Sequence, residues 1–140
     1  MTQISIIGNF LGISGYDSHT RGLATALSKI ADVRLSTTIQ PGQEGLLTDK
    51  ELEIIKKEDK KEINLIITSP LFWRIHLNAK RNWVFIIFEG TKLPRHFIEE
   101  MLNEDIEKIF SPSEHTKQAI LNTVDSLSEE ECKKLMEKLE

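Results

Sequence analysis

Between Val84 and Lys117 the chain twice repeats one order: an apolar run, a short polar turn, then a helix start. Val84-Phe-Ile-Ile-Phe88 is apolar at every position, the pattern of a strand covered on both faces. The polar turn Glu89-Gly90 follows, and Pro94 suits the first turn of a helix, where its missing N–H would be unpaired anyway. Ile106 to Phe110 is a second such strand. Ser111-Pro-Ser-Glu114 then combines an N-cap serine, proline at the first helical position and glutamate at the third. Two strand-to-helix turns so close together leave polar side chains at the carboxyl ends of parallel strands, where open α/β sheets bind ligands.

The same alternation runs through the rest of the chain. Gln3 to Gly8 is a β-branched strand ending at glycine, followed by a glycine-punctuated loop. A helix from Tyr16 or Asp17 to Ile30 carries Leu23, Ala24, Leu27 and Ile30 at helical spacing, and Asp32 to Ser36 is the second strand. Residues 37 to 45 form a polar loop. Thr48-Asp-Lys-Glu51 is a capping-box pattern opening a helix whose apolar side is Leu52 and Ile55. Ile63 to Thr68 is the third strand. Leu71 to Arg81 reads as a short helix or an irregular connection with Trp73 and Leu77 on one face. Trp83 to Phe88 is the fourth strand, and Phe97, Met101 and Leu102 give the next helix its core side. The last helix before the tail runs through Ala119, Ile120 and Leu121. This order predicts an α/β fold: a Rossmann-like three-layer α/β/α domain over residues 1 to 123, with a mostly parallel sheet of about five strands. Residues 124 to 140 add an amphipathic C-terminal helix with an apolar stripe of Leu127, Cys132, Leu135, Met136 and Leu139.

Composition narrows the function classes. A chain of 140 residues has room for one domain with a core and not for two. Its 39% apolar and 29% charged residues are those of a globular protein. A net charge of -4 argues against a nucleic-acid surface. Arg74, His76, Lys80 and Arg81 cluster, and are read as a solvated helix face. No apolar run approaches the roughly 20 residues of a membrane span. A single cysteine, Cys132, excludes an internal disulfide and fits a cytoplasmic location. Within its amphipathic helix Cys132 is expected to be a core or interface residue.

Three groups of residues are candidates for chemistry. Gly8, Gly12 and Gly15 sit between a strand and a helix, where backbone N–H groups can hold an anion or simply allow a tight turn. Their spacing is neither a dinucleotide fingerprint nor a P-loop, and strand two ends in Leu35-Ser-Thr-Thr38 without an acidic residue for a ribose. The run Tyr16-Asp-Ser-His-Thr-Arg21 is unusually polar for a helix opening in a buried sheet, which favours a ligand-facing loop. Glu89 ends a wholly apolar strand, and desolvation raises a carboxylate's pKa. It either hydrogen-bonds a hydroxylated substrate and does acid-base work, or accepts backbone N–H bonds in its turn. Arg95 and His96 belong to a helix surface. The four histidines lack ligand spacing, so no metal site is expected, and no G-x-S-x-G elbow supports a hydrolase.

Taken together, the chain resembles the N-terminal domain of GT-B-fold glycosyltransferases of the retaining "group 1" type. The matching residues are Ser14-Gly15-Tyr16…Thr20-Arg21-x-Leu23-x-x-Ala26-Leu27, then Phe88-Glu89-Gly-Thr-Lys-Leu93-Pro94-x-x-Phe97. Asp105 and Ser111-Pro112-Ser113-x-x-Thr116-Lys117 complete the run, and the resemblance covers roughly residues 3 to 123. It implies that Gly15 and Tyr16 line a cleft near donor phosphates or acceptor, with Asp17 and Arg21 beside them. It also implies that Glu89 and Gly90 face the acceptor, Glu89 being the catalytic candidate, and that Ser113 and Lys117 are structural or at the cleft rim. The implied function is the acceptor-side half of a nucleotide-sugar-dependent glycosyltransferase, using a hydroxyl acceptor and no further cofactor. Such a half would be inactive without a C-terminal donor-binding domain, whose E-x-x-x-x-x-x-x-E pair this chain does not carry on a strand. The alternative is a non-catalytic Rossmann-like interaction module that forms a homodimer or binds a partner through the tail helix. A nicotinamide-type oxidoreductase is disfavoured by the missing acidic residue after strand two.

Overall fold

The computed structural model describes residues 1–8, 15–36, 48–55, 57–88 and 90–140, with the side chains of residues 15–18, 51 and 52 outside the description. Five strands, β1 (Gln3–Gly8), β2 (Asp32–Ser36), β3 (Ile63–Ile67), β4 (Arg81–Phe85) and β5 (Lys108–Phe110), alternate with helices. The helices are α1 (Gly15–Leu27), α2 (Asp49–Ile55), α3 (Arg95–Met101), α4 (Glu114–Thr123) and α5 (Glu129–Lys138). Every strand pair is parallel, and the order across the sheet is β2-β1-β3-β4-β5. The fold is therefore the expected Rossmann-like α/β arrangement with a C-terminal helix.

Alternation along the strands divides the core into two layers, because successive side chains of a strand point to opposite faces. Ile6, Leu65 and Ile67 join Val33 and Leu35 beneath Ala24 of α1 and Ile54 of α2. Ile7, Ile66, Val84, Ile86 and Ile109 point the other way, onto Ile98 and Met101 of α3, Ile120 of α4 and Leu135 of α5. Trp73 is wholly buried in this second layer, and its indole N–H donates to Thr68 O at 3.1 Å. Each fully buried aliphatic side chain contributes about 1.5–3 kcal/mol relative to exposure. The tail helix is built into the same core. Lys138 Nζ donates to Met101 O and Asn103 O at the carboxyl end of α3, and the Glu140 N–H donates to Ile109 O at 2.9 Å.

Several expected boundaries shift for tertiary reasons. Helix α1 stops at Leu27, so Ile30 lies in the following turn and is 76% exposed instead of facing the core. The fourth strand spans Arg81–Phe85 instead of Trp83 to Phe88, because Arg81 already pairs with Ile63 of β3. The fifth is shorter than Ile106 to Phe110 and begins at Lys108. Pro94 is the N-cap of α3, one position before the helix. The cap of α4 is Ser113, whose hydroxyl accepts from the Thr116 N–H, and not Ser111. The Ser111 hydroxyl instead donates to Ser113 O at 3.1 Å, which leaves Pro112 outside the helix. The connection after β3 consists of two short 3-10 turns, Pro70–Phe72 and Arg74–His76. The loop at residues 37 to 45 and Gly12 of the glycine-punctuated loop lie outside the described residues. No helix among the described residues is long and apolar enough to cross a membrane.

Candidate functional site

The strand order fixes where a ligand crevice is expected. Chain connections run one way from β1 to β2 and the other way from β3 onward, so β1 and β3 flank the topological switch point. Gly8 ends β1 there, in register with Ile67. A Cβ at Gly8 would stand 2.8 Å from Ile67 O, so only glycine lets the two backbones close at this point. Thr68 and Ser69 follow on the β3 side. Their signal in the sequence is a polar Ser-Pro step directly after an apolar strand.

Helix α1 begins at Gly15, and Gly15, Tyr16 and Asp17 form its first turn; the side chains of Tyr16 and Asp17 are outside the description. Its second turn crosses toward β4. The His19 ring lies 5.1 Å from the ring of Phe85, the last residue of β4, while Thr20 is fully buried and Arg21 half-buried. The helix that carries the first group of candidate residues thus meets the stem of the segment that carries the second. Glu89 lies outside the described residues. Gly90 is described: a Cβ there would stand 2.6 Å from Phe88 Cε1, since the Phe88 ring folds over it and meets Phe97 edge-on at 6.0 Å. Ser113 serves as a helix cap and Lys117 is exposed.

The basic cluster is not one solvated helix face. Arg74 donates to both oxygens of Glu100 at 3.0 and 2.8 Å, and Arg81 makes a two-point pair with Glu107 at 2.8 Å. These pairs raise both guanidinium pKa values. The Arg81 hydrogen bonds, then the Trp83 indole N–H at 2.9 Å, pull the Glu107 carboxyl down to about 2. Burial pushes the His76 imidazole down, and its Nε2 has no protein partner. Arg95 of α3 pairs with Glu131 of α5 at 2.7 Å.

Two other features compete for attention. A groove of about 390 Å³ opens at the amino end of β5, lined by Leu102, Glu104, Glu107, Lys134 and Lys138. It lies at the opposite pole from the switch point, and its mixed charges select no ligand sign. Leu135, the centre of the tail stripe, is 0% exposed against the core, while Met136 is 44% exposed. Among the described residues no cluster of His, Cys, Asp and Glu is arranged to hold a metal ion. No protein-family model, no curated protein and no solved structure matches the chain significantly.

Proposed function

We propose that this chain is the acceptor-side half of a cytoplasmic, nucleotide-sugar-dependent glycosyltransferase of the GT-B type. The observation that supports it best is the contact between His19 and Phe85, which joins the Gly15–Arg21 helix start to the end of β4. Both stretches that resemble the family therefore open at one pole of one parallel sheet, beside the switch point.

In this function the start of α1 faces the donor phosphates or the acceptor, using the partial positive charge of a helix N-terminus. Tyr16, Asp17 and Arg21 add polar contacts. Glu89 and Gly90 face the hydroxyl acceptor, with Glu89 orienting the attacking hydroxyl or accepting its proton. The half contributes positioning and charge stabilisation, and a C-terminal donor-binding domain completes the cleft. The alternative of an interaction module built on the tail helix has less to work with, because Leu135 is already committed to the core.

The test is transfer from radiolabelled nucleotide sugars (UDP-, ADP- and GDP-glucose) to an oligosaccharide acceptor. The chain alone should give little product, and adding or fusing a donor-binding domain should produce transfer that Glu89→Gln lowers. A completed enzyme that transfers no sugar, or one indifferent to Glu89→Gln and Gly15→Val alike, would reject this function.

A further inference from the structure

The inner face of α4 is mixed. Its buried residues are Thr116, Ala119, Ile120 and Thr123, the i, i+3, i+4, i+7 set on one side of a helix. Ala119 and Ile120 are apolar and buried. The outer two are hydroxyls, 1% and 6% exposed, and buried hydroxyls are satisfied by partners. Both find them in the irregular segment between β4 and α3.

Thr116 Oγ1 accepts from the Phe88 N–H at 3.3 Å and donates to Phe88 O at 3.3 Å. It also accepts from the Ser113 hydroxyl at 3.2 Å, which fills a hydroxyl's capacity of one donor and two lone pairs. Two turns further on, Thr123 Oγ1 accepts from the Leu93 N–H at 2.9 Å and donates to Ala119 O of its own helix at 2.9 Å. Between them Asn122 Nδ2 donates to Thr91 O at 2.9 Å, and Asn122 Oδ1 accepts from Gln118. One helix therefore grips the backbone on both sides of Gly90: Phe88 before it, Thr91 and Leu93 after it.

We infer that Thr116 and Thr123, with Asn122 between them, are positioning residues that hold the backbone at Phe88 and at Thr91–Leu93 before any ligand arrives. A segment ordered in advance avoids the ordering cost of binding. The identity of the ligand, a hydroxyl acceptor, rests on the function proposed above; the clamp itself does not.

The test compares the Thr116→Val/Thr123→Val variant, nearly isosteric but without hydroxyls, with Thr116→Ser/Thr123→Ser, which keeps them. Amide hydrogen exchange of Phe88 and Leu93 is read against amides of β1 and β3, and maltotriose affinity is followed by chemical shift. The valine variant should speed exchange at Phe88 and Leu93 by roughly tenfold or more and weaken maltotriose, with β1 and β3 little changed; the serine variant should restore both. Wild-type exchange at Phe88 and Leu93 in the valine variant, an equal rise throughout the sheet, or no rescue by serine would overturn the clamp. If the double valine variant does not fold, Thr123→Val alone should loosen Leu93 and spare Phe88. Protected Phe88 and Leu93 amides that respond to serine rescue, in a protein that binds no sugar, would uphold the clamp and reject the glycosyltransferase function.

Discussion

The two faces of the sheet are finished to different depths. On one, α3, α4, α5 and the buried Trp73 close over Ile66, Val84, Ile86 and Ile109. On the other, α1 and α2 cover Ile6, Leu35 and Ile67, while Trp83, Phe85 and Phe110 at the β4–β5 side remain half-buried. There Trp83 meets Phe110 edge-on at 5.9 Å and is flanked by Arg81 and Lys108, charged groups that stay in contact with water. The first face is the more fully covered at the β4–β5 side, and the second carries the start of α1.

That contrast is open to direct measurement. Trp73→Ala should cost about 3–5 kcal/mol in denaturant unfolding and also strand Thr68 O. Phe85→Ala, on the half-covered face, should cost roughly 1–2 kcal/mol; equal losses would erase the distinction between the faces. Within α5, Leu135→Ala should cost about 2–5 kcal/mol, whereas Met136→Ala one residue later should stay within about 0.5 kcal/mol. A monomer whose stability ignores Leu135→Ala would mean that the tail is not part of the core.

The smallest effect is on pH. Glu107 is held at about 2 in the folded chain against an ordinary value of 4.5. Its pKa is depressed on folding, so its contribution to stability is complete above about pH 4.5 and is lost as pH falls toward 2. Glu107→Gln should therefore be slightly less stable than the parent at pH 7, as expected for an exposed pair. The gap should close on acidification through that window, followed by circular dichroism. A gap that widens in acid would have the sign wrong.

Much of this was legible in the sequence because it is local. The strands Gln3–Gly8 and Asp32–Ser36 stand at the bounds read from the sequence. What escaped is set by residues distant along the chain. Ser111 and Ser113 are equally good caps by composition; the choice falls to Ser113 because its hydroxyl joins Thr116, which is itself tied to Phe88. Arg74 and Arg81 look like free cations until Glu100 and Glu107 arrive from the next strand-helix unit. The tail stripe likewise gives no sign that Leu135 already has a partner within its own chain. At the site, Glu89 lies outside the described residues, and a helix opening close to Gly15 could be read in advance. The switch point at Gly8 and Ile67 could not, because it depends on the order of strands across the sheet.

We propose the carboxyl pole carrying Gly15–Arg21 and Gly90–Leu93 as the ligand face of this chain. This assignment is tested most directly by titrating uniformly ¹⁵N-labelled protein with UDP-glucose and, separately, with maltotriose, and mapping amide shifts. Shifts confined to Gly15–Arg21, Thr68–Ser69 and Gly90–Leu93 are the predicted result. Shifts confined to the Glu104–Lys138 groove at the opposite pole, or none with either ligand at millimolar concentration, would contradict it.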